Sequence, residues 1–178
     1  MRESVKKSTD KKTIDYFCTK LYTIKVKKEG IMAVRKIVKM GDELLRKKSK
    51  KVTVFDEKLG ELLDDMKETM YEFDGMGLAG PQVGVLKRVV VMDVNDMFFE
   101  LVNPEIIKEE GEDVEAESCL SCGKAREKVK RPYRVTVKAQ DRYGYNIVVT
   151  GEKWLARCMC HEIDHLDGVL FLDRAEKQ

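Results

Sequence analysis

A chain of 178 residues, 43% hydrophobic and 37% charged, has length enough for one domain with a real core. It contains no apolar run near the roughly 20 residues that a membrane span needs, which argues against a membrane protein. Its five cysteines are an odd number, and no signal-peptide core follows the N-terminus, so we expect a cytoplasmic protein rather than a secreted disulfide framework. The net charge of +2 is unevenly divided: residues 1–31 hold Arg2 and eight lysines against four acids, a net of +5, which leaves −3 on the rest. Basic charge gathered on a lead segment argues against direct nucleic-acid binding as the main role.

That lead, MRESVKKSTDKKTIDYFCTKLYTIKVKKEG, keeps no period of 2 or 3.6 and is expected to be a basic, disordered extension. It is poorer in arginine and richer in acids than a transit peptide. The run Lys27 to Gly30 is encoded almost wholly by purines and sits just ahead of Met32. Such a tract resembles a ribosome-binding site, so residues 1–31 are also expected to be non-native, with Met32 as the start. Residues 32–178 are expected to form the folded domain.

Within it, GDELLRKKSKKV should make a short helical turn leading towards a strand. Leu59, Leu62, Leu63, Met66, Met70 and Phe73 recur at spacings of three and four, which predicts the best helix of the chain, capped by Asp56. GMGLAGPQVGV is punctuated by glycine, and RVVVMDV reads as a buried strand. FFELVNPEIIKEEGEDVEAESCLSCG is expected to hold strands separated at Asn103-Pro104 and at Gly111. YRVTVKAQDRYGYNIVV alternates around Arg142-Tyr143-Gly144, the pattern of a hairpin. GEKWLARCMCHEIDHLDG predicts a second helix that stops near Gly168. A helix, several strands and a helix without regular alternation indicate an α+β fold.

Both histidines of the chain fall in that last helix, at His161 and His165. Residues four apart share a helical face, so two imidazoles point towards one spot. His-Glu-x-x-His on a helix is the two-histidine zinc arrangement with Glu162 as general base. The plain alternative is a pair of structural or surface histidines. A catalytic metal needs a third protein ligand, and no histidine follows His165. Cys18 lies in the lead. Cys158 is three before His161 on the same face, whereas Cys160 points about 100° away. Cys119 and Cys122 form a CxxC pair, which also suggests a zinc knuckle or a redox pair. If that segment is extended, the two thiols point to opposite faces and only one meets the histidines. A four-thiolate site from Cys119, Cys122, Cys158 and Cys160 is then awkward and leaves the histidines unexplained.

Three blocks together resemble the peptide deformylase family. GMGLAGPQVG, Gly75 to Gly84, is similar to Gly-x-Gly-Leu-Ala-Ala-x-Gln-x-Gly; ESCLS, Glu117 to Ser121, to Glu-Gly-Cys-Leu-Ser; HEIDHLDG, His161 to Gly168, to His-Glu-x-Asp-His-Leu-x-Gly. The resemblance runs from about Met32 to the end. It implies a fold of several antiparallel strands around a C-terminal helix carrying HExxH. It implies that Cys119, His161 and His165 hold one divalent metal, Fe²⁺ first, with Zn²⁺, Ni²⁺ or Co²⁺ as alternatives. Glu162 would take a proton from water, and the Gln82 amide and the Leu120 N–H would stabilise the oxyanion. Gly77, Glu117 and Cys158 would line the substrate site, with Arg131 paired to Glu117 beneath it. Asp164 would support the ligands from behind. The reaction implied is hydrolysis of the formyl group from N-formylmethionyl nascent chains, at the ribosome and away from membranes.

Four departures from the family pattern lie in or beside these blocks. Gly80 stands for alanine and is expected to loosen its loop by about 0.5–1 kcal/mol. Ser118 stands for glycine and would cost about 1–3 kcal/mol only if φ is positive there. Cys122-Gly123 stands for Val-Pro, and Cys160 for glutamine. The rival readings are an HExxH metalloprotease, which leaves Cys119 idle, and a deformylase-like metal- or peptide-binding protein without turnover.

Overall fold

The computed structural model describes residues 33–175 and the backbone of residues 14–15. The expectation of a disordered lead lies outside the described residues, except that Ile14–Asp15 forms a short strand, β1, pairing in parallel with Ile147 and Val148. The remaining strands are β2 (Gly77–Ala79), β3 (Val89–Val94), β4 (Met97–Glu110), β5 (Asp113–Ser118), β6 (Arg126–Arg131), β7 (Arg134–Gln140) and β8 (Asn146–Glu152). They build a six-stranded sheet in the order β1-β8-β7-β4-β3-β2 and a two-stranded sheet of β5 and β6. Among the described strands, pairing beyond β1 is antiparallel.

Helix α1 (Glu57–Glu72) starts as its spacing predicts, with the Asp56 carboxylate accepting from the Leu59 N–H. Its apolar stripe, Leu59, Leu62, Leu63, Met66 and Met70, packs on Val89 and Val91 of β3. The alternate residues Val90, Met92 and Val94 face the opposite way, into a second core with helix α2 (Trp154–Leu166). The period of two in β3 therefore places one helix on each face of the sheet. Burying Leu, Met and Val side chains on both faces stabilises this sandwich by about 1.5–3 kcal/mol per fully buried side chain.

Asn103-Pro104 does not separate two strands. β4 runs through them, with register shifts against β7 between Val102 and Glu105 and again between Ile106 and Lys108. Asn103 adopts φ 54, a left-handed conformation that asparagine tolerates well. Its side chain bonds Val52 N, Val52 O and Gln140 Oε1. Proline, which lacks an N–H, is accommodated at the resulting bulge. Gly111, at φ 65, does make the turn between β4 and β5.

Helix α2 ends in a Schellman turn. Gly168 takes φ 77, its N–H bonds His165 O, and Val169 N–H bonds Asp164 O. A Cβ on Gly168 would strike the backbone of Arg46. The helix thus stops one turn past His161, with His165 in its last turn.

Candidate metal centre

The centre forms where α2 meets β2 and the turn after β5. Leu155 to Leu166 are all buried, so each polar group on α2 needs a partner or a job. His161 and His165 lie with ring centroids 5.0 Å apart. The strand β5 ends at Ser118, and the 3-10 turn Leu120–Cys122 follows. This places Cys119 Sγ 3.2 Å from His165 Nε2. Donor atoms of Cys119, His161 and His165 all lie within 4.8 Å of one another.

Glu117 Oε2 lies 2.9 Å from His161 Nδ1, which turns the other ring nitrogen to the cluster. Burial opposes charge on Glu117, but hydrogen bonds from His161 and Arg131 outweigh it and hold the carboxyl at about 2. Arg131 Nε and Nη2 grip its two oxygens at 2.9 and 3.0 Å. The Asp164 carboxylate is hydrogen-bonded to arginines and not to either histidine. It pairs with Arg131 at 2.5 Å and with Arg174 at 2.6 Å, so support reaches the histidines through Glu117.

Glu162 faces a cleft of about 300 Å³ whose wall includes Gly77, Gln82, Glu117, Cys119, Leu120, Cys158 and His161. Burial pushes its carboxyl up to about 7, His161 pulls it down, and Glu117 adds to the rise. Its Oε2 and His165 Nδ1 are buried atoms without a hydrogen-bond partner. Three converging S and N donors beside an orphaned carboxylate oxygen fit a divalent metal of the Fe, Zn, Ni or Co kind.

Gln82 lies on the 3-10 turn Gly80–Val83. Its Oε1 accepts from Ala79 N–H at 2.8 Å, leaving Nε2 aimed at Cys119 Sγ, 3.5 Å away, and Ser121 Oγ, 3.3 Å away. At Gly77 a Cβ would lie 2.5 Å from Glu162 Oε1 and 2.9 Å from Cys158 Sγ. Glycine here is the condition for strand and helix to approach. Burial raises the Cys158 thiol well above its ordinary value, so it lines the cleft as a neutral wall.

The departures resolve locally. A Cβ at Gly80 would meet Lys87 O at 2.7 Å and Val85 O at 2.8 Å, so glycine fills a tight loop instead of loosening it. Ser118 is not among the residues with positive φ and carries no strain. Gly123 takes φ 64, which proline could not adopt. Cys160 is buried in the α2 core. The segment is extended only as far as Cys119 and then turns at Leu120–Cys122, and Cys119 alone of its two thiols joins the histidine cluster.

Arg157 escaped the sequence reading. Its Nη1 bonds Glu117 Oε1 and Val129 O at 2.8 Å, and its Nη2 bonds Asp113 O and Oδ2 at 3.0 Å. An arginine four residues before His161, on a helix with apolar neighbours, was the signal available.

A buried S/N/N donor set that could hold a metal, with a carboxylate beside it, is the arrangement that metal-dependent hydrolases use. The polypeptide deformylase family model matches residues 34–178. The peptide deformylase of Acetivibrio thermocellus is 59% identical over 143 residues, 80% of this chain and 84% of its own. The crystal structure of a peptide deformylase from Legionella pneumophila superposes with a TM-score of 0.79 at 47% identity, covering 81% of this chain and 87% of that one. That from Thermotoga maritima gives 0.79 at 41% identity, covering 81% and 99%. This chain belongs to the peptide deformylase family.

Proposed function

We infer that this chain is a peptide deformylase, which hydrolyses the N-formyl group of an N-terminal formylmethionine and releases formate. The observation that carries the reading is the convergence of Cys119, His161 and His165 donor atoms within 4.8 Å beside the buried Glu162. These three side chains would hold the metal, with Fe²⁺ as the proposed native ion and Zn²⁺, Ni²⁺ or Co²⁺ as substitutes. When bound, the metal supplies Lewis-acid charge that makes water nucleophilic near neutral pH.

The rest of the chemistry belongs to the chain. Glu162, held at about 7 by burial, takes a proton from the attacking water and returns it to the leaving amine. Gln82 Nε2, fixed by the Ala79 N–H, and the Leu120 backbone N–H stabilise negative charge on the formyl oxygen. Gly77 gives the peptide backbone access to the cleft. Cys158 and Glu117 lie in its wall, Cys158 against the methionine side chain.

Formylated chains arise at the ribosome, so the proposed partner is a nascent polypeptide leaving it, in the cytoplasm. No described helix is long and apolar enough to cross a membrane. Residues 32–178 are proposed as the catalytic unit and 1–31 as an appended, non-native segment. In support, every proposed site residue and the family match at 34–178 lie outside that segment.

The test is formate release from an N-formylmethionyl tripeptide by protein purified without oxygen and loaded with Fe²⁺, Ni²⁺ or Zn²⁺. Formate without cleavage of the peptide bonds is expected. Tightly bound metal with no formate under any loading would instead make the chain a deformylase-like binding protein.

A further inference from the structure

The CxxC pair at Cys119 and Cys122 is left over by the reaction above, which uses only the first thiol. Both cysteines are buried, at 7% and 6% exposure, in one cluster with Leu45, Val129 and Phe171. The segment between them is a single 3-10 turn, closed by the Cys122 N–H on Cys119 O at 3.0 Å. One such turn advances about 6 Å. That separation lies within the roughly 4.4–6.8 Å between Cα atoms that a disulfide requires. Cys119 faces the cleft, where a small oxidant can reach it. The turn exits through Gly123, around whose Cβ position no atom beyond its chain neighbours lies within 4 Å, so the backbone has room to adjust.

We propose that Cys119 and Cys122 are a reversible dithiol–disulfide pair, and that the disulfide and the metal compete for the Cys119 sulfur. The oxidant is a hydroperoxide. The Cys119 sulfur attacks its outer oxygen, the O–O bond breaks, and a sulfenic acid forms with release of water or alcohol. The Cys122 thiol then attacks that sulfur: the S–S bond forms, the S–O bond breaks, and the oxygen leaves as water. Two thiols have lost two electrons and two protons, and one peroxide has been reduced. The disulfide sulfur is no longer an anionic donor, so the metal leaves. Cys122 thereby diverts Cys119 from the sulfinic and sulfonic acids, which thiols do not reverse.

The competition with metal rests on the ligand assignment above; the cross-link does not. The full chain, metal-free and Fe²⁺- or Zn²⁺-loaded, is treated with hydrogen peroxide. Peptide mass mapping reads the bond, free-thiol titration counts the cysteines, and the filtrate is assayed for metal. A Cys119–Cys122 cross-link is expected in the metal-free protein, and metal release in step with it in the loaded one. Metal re-binding after dithiothreitol should be about tenfold greater than in Cys122→Val, where Cys119 is over-oxidised beyond thiol repair. Cys122→Ser, closer in size, should fail to recover in the same way. The absence of a 119–122 link in the metal-free protein overturns the proposal, as does a link from Cys119 to Cys158. Equal recovery of the parent and both variants overturns it as well.

Discussion

The two helices pack on opposite faces of the same strand, yet they spend their polar residues in opposite ways. α1 buries Leu59, Leu62, Leu63, Met66, Thr69 and Met70 and buries none of its charged residues. α2 is buried from Leu155 to Leu166, with Arg157, His161, Glu162, Asp164 and His165 inside. A charge on α1 costs little because water solvates it. A charge on α2 survives only through partners, since burying one unpaired is strongly unfavourable. The first helix therefore serves packing, and the second carries the candidate site.

The largest effect that separates them should come from Glu162. Glu162→Ala is expected to lower kcat/KM for formate release by about 10²–10⁴-fold, the range for a lost general base. Metal content and thermal midpoint should stay near those of the parent. Loss of metal in this variant would make Glu162 a ligand-supporting group and blur the division of roles on α2.

Next is Glu117→Ala, which strands Arg131 and Arg157 without their shared anion. Breaking such a buried pair costs about 3–5 kcal/mol, so the urea midpoint should fall sharply and metal affinity with it. An unchanged midpoint would mean that Asp164 and Asp113 are enough to hold the two arginines.

Met66→Ala probes the packing helix. It should cost about 2–5 kcal/mol of stability while the folded fraction keeps its metal and its kcat. A drop in kcat at full folding would tie α1 to the chemistry.

The smallest effect lies at the exposed edge. The Arg46 hydrogen bond holds the Asp173 carboxyl below its ordinary 3.8, against burial. A depressed acid contributes stability above its unfolded value and loses it as pH falls through the folded one. With 49% and 41% of the two side chains exposed, solvent screening keeps this below about 1 kcal/mol. Urea midpoints of Asp173→Asn and parent should differ slightly at neutral pH and converge at strongly acid pH. A gap that persists in acid would place the effect elsewhere.

Much of this contrast was legible in the chain itself. The spacing from Leu59 to Met70 marks α1 because one face alone is apolar. The α2 site was legible through HExxH and the resemblance that ESCLS and GMGLAGPQVG carry. Other features were hidden because local chemistry reads two ways. Asn103-Pro104 looks like a strand break, yet the asparagine side chain replaces lost backbone bonds and the strand continues as a bulge. ESCLSCG continues a stretch that reads as strand, yet past Cys119 it closes into a 3-10 turn. Arg157 was invisible because its partners, Glu117, Val129 and Asp113, lie on strands far from it in sequence.

Glu117 has a consequence for anyone wishing to transplant this centre. Arg131, Arg157 and His161 all end on its two oxygens. The histidine pair is thus not a portable cassette that one helix can donate to a new scaffold. A graft would have to bring the two-stranded sheet with it, and drift at any one of the four positions would have to be answered at the others.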